Sequence, residues 1–143
     1  MKPAYDISYR NEIMEAQGRL FGLFARRNPG CDGEDFVTAY MKSGIRSRVD
    51  CAEARPANMT AAELEEGFIR EEGYTLKPGE SLDPLSADWI GQLYAYAQWK
   101  WGIRSSEVIR KLPVRTMRIA YPGIHDLDMP LAVDRTEKWG DGK

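Results

Sequence analysis

With 143 residues, 43% hydrophobic and 29% charged, the chain has the size and composition of one globular domain with a substantial core. Its net charge of −2 argues against obligate coating of nucleic acid, and no apolar run approaches the roughly 18 residues of a membrane span. The opening, MKPAYDISYRNEIMEAQ, places charges where a signal peptide has its apolar stretch, so a cytoplasmic location is expected.

The predicted elements are helices almost throughout. From Asp6 to Arg27, Ile13, Met14, Leu20, Phe21 and Phe24 recur at helical spacing, with the charges mostly on the other side. Gly18 and Gly22 inside this stretch disfavour a helix and mark close packing against a neighbour. Asn28–Gly30 ends it. Asp32 then reads as an N-cap with Asp35 three residues on, opening a short helix that buries Phe36, Val37, Tyr40 and Met41 before Gly44. Residues 43–58 read as irregular, with room for one helical turn. Thr60 and Glu63 have capping-box spacing, and the helix they open buries Leu64, Phe68 and Ile69 and ends near Gly73.

Residues 73–85 carry two prolines and two glycines and are the expected mobile loop; each flank is too short for its own core, so residues 1–143 form a single domain. Ser86 is expected to cap a helix over Ala87–Trp101, with Leu85 stapled to Ile90. Its apolar and aromatic residues cover most of its circumference, which predicts a central helix enclosed by others. Gly102 ends it. Ser105 reads as the cap of a short helix to Lys111, with Val108, Ile109 and Leu112 inward. Pro113 starts the next, using Met117, Ile119 and Tyr121, and Pro122-Gly123 ends that one. Asp128 caps a last helix with Pro130 in its first turn and Leu131, Val133 and Trp139 packing; residues 139–143 read as a tail. The expectation is an all-α, compact single-domain bundle of six or seven helices around the aromatic-rich helix at about 86–101.

Three constellations bear on function. The first is YPGIHDLD, Tyr121 to Asp128, with the chain's one histidine. His125 and Asp128 are the candidates for an acid–base pair, but no G-x-S-x-G elbow, glycine-rich phosphate loop or set of metal ligands accompanies them. The competing reading is a turn in which His125 binds a backbone carbonyl and Asp128 caps the helix that follows. No cofactor and no metal is implied, and Cys31 and Cys51 read as reduced structural thiols.

The second is a charge asymmetry. Lys100, Arg104, Arg110, Lys111, Arg115 and Arg118 face only Glu107 within residues 100–118, a local +5. They are candidates for partner contact, together with His125. Helix, glycine turn, short helix and basic helix over residues 99–121 also have a helix-turn-helix outline, in which Arg115, Thr116 and Arg118 would face DNA. The third is acidic, Gly33–Asp35 and Glu63–Glu66, and is explained as helix first turns favoured by the macrodipole.

The stretch SADWIGQLYAYAQWKWGIRSSEVIRKLPVRTMRIAYPGIHDLD resembles the C-terminal signature of a group of small bacterial proteins common in anaerobic gut Firmicutes and Actinobacteria. Trp89, Gly91, Tyr96, Trp99, Gly102, Ser106, Ile109, Tyr121, His125 and Asp128 occupy the pattern's places, and FVTAYMKSGIRSRVD and TAAELEEGF are similar to its earlier parts. The resemblance covers most of the chain. It implies a member of a small defence or toxin–antitoxin cassette, in some cases beside an ADP-ribosyltransferase-like toxin, and it brings no catalytic or binding residues. Taken with the composition, it points to a non-enzymatic antitoxin, inhibitor or accessory factor that covers a protein partner, a toxin or effector. The alternatives are a DNA-binding regulator and a small enzyme centred on His125.

Overall fold

The computed structural model describes residues 2–141, with no side-chain account of Gly140 and Asp141. Among the described residues the chain is all helical. A 3-10 turn at Ile7–Tyr9 leads into α1 (Arg10–Arg27), α2 (Gly33–Met41), α3 (Gly44–Val49), α4 (Ala54–Ala57), α5 (Ala61–Glu72), α6 (Pro84–Trp101), α7 (Ser105–Lys111), α8 (Val114–Ile124) and α9 (Met129–Asp141). Among them no helix is long and apolar enough to cross a membrane. The predicted bundle around an aromatic-rich helix is the fold found. Its helix count is higher because residues 43–58 hold α3 and α4 where irregular chain was expected.

Helix α6 is the axis of the bundle. Twelve of its 18 residues are buried, among them Ile90, Leu93, Tyr94, Ala97 and Trp101. Each large apolar side chain so enclosed stabilises the fold by about 1.5–3 kcal/mol. Helix α1 lies along α6, with α7, α8 and α9 also against it. The close approach of α1 and α6 depends on glycine: a Cβ on Gly91 would lie 2.5 Å from the Gln17 carbonyl oxygen, and one on Gly18 would lie 2.7 Å from Asp88 Oδ1. A second aromatic cluster joins α1, α2 and α5, with Phe24 stacked on Phe36 at 3.7 Å and Phe68 edge-on to Phe36 and Tyr40, each at 5.5 Å.

Several helix ends form as the sequence predicts. Asp32 Oδ1 accepts the Asp35 N–H at 3.0 Å, and the reciprocal box between Thr60 and Glu63 is complete. Gly73 and Gly102 close α5 and α6 in the left-handed region, at φ 61° and 65°.

Other ends differ. Helix α6 starts at Pro84, capped by Asp83, whose carboxylate accepts the Ser86 N–H at 3.0 Å; Ser86 is therefore inside the helix, and Leu85 is 66% exposed instead of stapled. Pro122-Gly123 does not stop α8, which runs on to Ile124. Proline removes one N–H close to the helix end, and the buried Met117 and Ile124 still hold that turn against the core. Ile119 and Leu131, expected inward, are 76% and 54% exposed; Val114, Met117 and Ile124 are the inward side of α8, and Ala132, Val133 and Thr136 that of α9. Helix α9 extends through Asp141, over part of the predicted tail, and residues 142–143 lie outside the described ones.

The 73–83 segment is laid along the connection from α1 to α2. Asp32 N–H donates to the Lys77 carbonyl, Gly33 N–H to Glu80 and Gly79 N–H to Gly30, while the Tyr74 hydroxyl donates to Asp35 at 2.8 Å. Burial, and then this bond, push the Tyr74 hydroxyl pKa above its ordinary value.

Candidate functional site

His125 occupies the C-cap of α8. Its Nδ1–H donates to the Tyr121 carbonyl at 2.9 Å, which closes the last turn of the helix, and Nε2 lies 3.3 Å from Asp126 Oδ1. The ring stacks on Tyr121 at 4.4 Å, and Tyr121 in turn meets Trp89 of α6 edge-on at 5.4 Å. Trp89, Tyr121 and His125 thus form a short aromatic ladder at the edge between α6 and α8, with exposed Leu85 one turn before Trp89. Asp128 stands immediately before α9, and its carbonyl accepts the Ala132 N–H at 3.0 Å, the first bond of that helix. Both ring nitrogens of His125 are engaged within the turn, and Asp128 is exposed in the next one.

Three of the six basic residues of 100–118 are paired with carboxylates of α9, α2 and the 73–83 segment. Lys100 donates to Asp134 of α9 at 2.8 Å, a bond that raises its pKa. Arg118 pairs with Glu34 of α2 at 2.6 Å and with Glu80 at 3.1 Å, which raise its pKa too, and Arg115 approaches Glu34 at 3.9 Å. The acidic first turn of α2 is therefore a docking point for α8. Arg104, Arg110 and Lys111 have no carboxylate within 4.0 Å among the described residues. Arg110 and Lys111 sit in the last turn of α7, where the helix dipole favours cations.

The most unusual electrostatics lie elsewhere, in a cluster the sequence does not announce. Arg46 of α3 is completely buried, and its Nε and both Nη atoms have no hydrogen-bond partner. Asp50, four residues on at the C-cap of α3, lies 3.8 Å from Arg46 Nε. Its two oxygens accept the Ser105 N–H at 2.8 Å and the Ser105 hydroxyl at 2.6 Å, so Asp50 performs from α3 the capping of α7 expected of Ser105 itself. Gln98 of α6 reaches the same point: its amide nitrogen donates to the Asp50 carbonyl at 3.3 Å and the Ile103 carbonyl at 2.8 Å, leaving Oε1 buried without a partner. These two acceptors fix which way the amide faces.

The Tyr5 hydroxyl is also buried and unpartnered, and its pKa is pushed up to about 12 by burial, against the opposing pull of the Arg46 cation. Tyr40, fully buried and donating to Gln17 Oε1 at 2.6 Å, is likewise pushed up to about 12 by burial, with Arg46 again opposing. The N-terminal strap covers this end of the bundle. Ala4 N–H donates to the Trp99 carbonyl at 2.9 Å, Trp99 Nε1–H donates to the Tyr5 carbonyl at 2.8 Å, and the Arg10 guanidinium lies 4.8 Å from the Trp99 ring.

The i, i+4 spacing of Arg46 and Asp50 is common in sequences and carries no signal of their burial. Cys51 is exposed beside it and Cys31 is half-buried, both as free thiols. Among the described residues no three potential ligand side chains converge as a metal site. No family model, curated protein or solved structure matches the chain.

Proposed function

We propose that the chain is a non-enzymatic interaction module that covers a protein partner, of the antitoxin or inhibitor kind implied by the resemblance of its C-terminal half. The observation that supports this reading is the edge between α6 and α8. There Leu85, two-thirds exposed, continues the Trp89–Tyr121–His125 ladder into an apolar and aromatic strip at the surface. Leu85 lies outside the core at that position, and aromatic residues beside polar tips are the usual anchors of protein interfaces. Arg104, Arg110 and Lys111, three cations without carboxylate partners among the described residues, add a basic area for an acidic partner surface.

The DNA-binding reading draws less support. Arg115 and Arg118, its two phosphate-facing cations, are turned onto Glu34 and Glu80. The enzyme reading is weakened by the commitment of both His125 nitrogens within their own turn.

Co-expression with the product of the adjacent gene tests the proposal. The expected result is a co-purifying pair and restored growth, with both lost in Leu85→Asp while that variant melts as the parent does. Absence of a pair, or a pair indifferent to Leu85→Asp, overturns it.

A further inference from the structure

A cleft of about 580 Å³ lies between the last turn of α1 and α5, lined by Arg27 of the first helix and by Ala62, Glu65, Glu66, Ile69 and Arg70 of the second, with Glu63 also in its wall. The spacing of Ala62, Glu66 and Ile69 puts them on one face of α5, opposite the buried Leu64 and Phe68. We propose that this cleft binds a small zwitterion, an amine and a carboxylate carried on one short apolar frame, as in an apolar α-amino acid or a dipeptide.

The lining carries charges of both signs and leaves them unpaired. Arg27 and Arg70 have no carboxylate within 4.0 Å among the described residues. This holds although Glu66 and Arg70 stand at i, i+4, in the order that favours a pair along a helix. Glu63 is committed elsewhere, since its Oε1 accepts the Thr60 N–H at 2.9 Å in the capping box. Glu65 is half-buried, and its Oε1 is shut from water with no hydrogen-bond partner. Burial pushes the Glu65 carboxyl pKa up, against the opposing pull of the Arg27 cation, which acts through space without forming an ion pair.

The chemistry of these groups selects the ligand. A partly desolvated carboxylate gains from an ammonium brought to it. Two unpaired guanidiniums gain from a carboxylate, whose two oxygens match the planar fork of arginine. Half-buried Ile69 and Ala62 give the cleft its apolar surface. A simple anion meets Glu65 and Glu66, and a simple cation meets Arg27 and Arg70; a ligand with both charges uses the whole lining. The cleft volume is of the size that holds a small ligand, about 300–1,000 Å³. The site shares no residue with the α6–α8 edge, so it stands or falls apart from the partner reading.

The test is thermal unfolding of the full chain with L-leucine, and separately leucyl-leucine. The controls are N-acetyl-leucine, which lacks the ammonium, and leucinamide, which lacks the carboxylate, all at equal ionic strength. A ligand that binds only the folded state raises Tm by about 5–10 °C at a concentration about a hundredfold above its Kd. The expected result is a saturable rise with leucine, the dipeptide or both, with each one-charge analogue several-fold weaker in concentration; whichever zwitterion acts sets the spacing of the two charges. Arg70→Gln and Glu65→Gln should each weaken the active zwitterion about tenfold, the loss of one charge-assisted hydrogen bond. No rise with either zwitterion overturns the proposal, as does a rise that an analogue matches or that either variant leaves unchanged. If a variant melts too low to read, the Arg27 and Arg70 Nε–Hε resonances of the parent chain decide: they should move on titration with the active zwitterion, and unmoved resonances overturn the site.

Discussion

The His125 turn and the Arg46–Asp50 cluster reverse the ranking that residue types suggest. The turn holds the chain's one histidine with two carboxylates just after it, yet both ring nitrogens have partners within the turn and the residue is exposed. The cluster is built from arginine, aspartate, glutamine, serine and tyrosine, each unremarkable in sequence, but it places a full cation at zero exposure with none of its nitrogens bonded. A rare residue draws attention through composition. A buried unpaired charge matters through free energy, and only the second is a physical reason to look for a ligand.

The largest effect that separates the two regions is expected at Asp50. Asp50→Ala removes both partners of Ser105 and leaves Arg46 without its nearest countercharge. Removing one member of a buried pair costs about 3–5 kcal/mol, to be read from urea denaturation. Pairing Arg46→Met with Asp50→Leu should recover much of that loss, since an apolar pair leaves no stranded charge. A cost below about 1 kcal/mol for Asp50→Ala would put the cluster on a level with a surface pair and erase the contrast.

Next in size is an alkaline effect confined to the interior. The Tyr40 hydroxyl titrates at about 12 in the folded chain and near 10 in the unfolded one. Below pH 10 both states keep the proton. Between pH 10 and 12 the unfolded chain releases it and the folded chain does not, so stability is full below pH 10 and falls through that window. A two-unit difference amounts to about 2–3 kcal/mol for Tyr40, with Tyr5 acting in the same direction. Denaturation at pH 9 and pH 11.5, with phenolate absorbance as the second readout, checks the sign. A Tyr40→Phe variant whose stability falls as steeply between pH 9 and pH 11.5 as that of the parent would show that the buried phenol is not the group responsible.

How much of this was legible follows from the range of the interactions. Local signals were read correctly: the Thr60–Glu63 box, the Asp32 cap and the glycine ends at 73 and 102 all lie within four residues of their partners. Gly18, read as a close-packing glycine, does sit where α1 meets α6, while a Cβ on Gly22 would come no nearer than 3.4 Å and the tighter approach at Gly91 was not singled out; the periodicity of α6 was enough to make it the centre. What failed was set by tertiary partners. Ser105 was expected to cap its own helix, and a carboxylate 55 positions earlier does it instead. The basic run looked like one face, until Glu34 and Glu80 from distant segments took Arg118. Burial of Arg46 could not be read from Ser43–Asp50 because α3 packs against α5 and α7, which come later in the chain.

Arg118 stands between the two regions in kind, a partly exposed cation with two carboxylates. Arg118→Gln should lower stability by about 0.5–1 kcal/mol, an effect that shrinks as salt is added. A loss that is independent of salt would mean that the guanidinium works through packing against α2, and that α8 docks by shape instead of charge.

The smallest effect is expected at His125. His125→Ala removes the Nδ1–H bond to the Tyr121 carbonyl and the stacked ring, both at an exposed helix end. Together these are worth about 0.5–1.5 kcal/mol, visible as a slight fall in the denaturation midpoint. Binding to a partner gives a separate measure: at the edge of the aromatic strip, loss of the ring should weaken the complex more than it weakens the fold. If instead His125→Ala leaves the complex intact and lowers stability as much as Asp50→Ala does, the histidine is a structural pin and the strip ends at Tyr121.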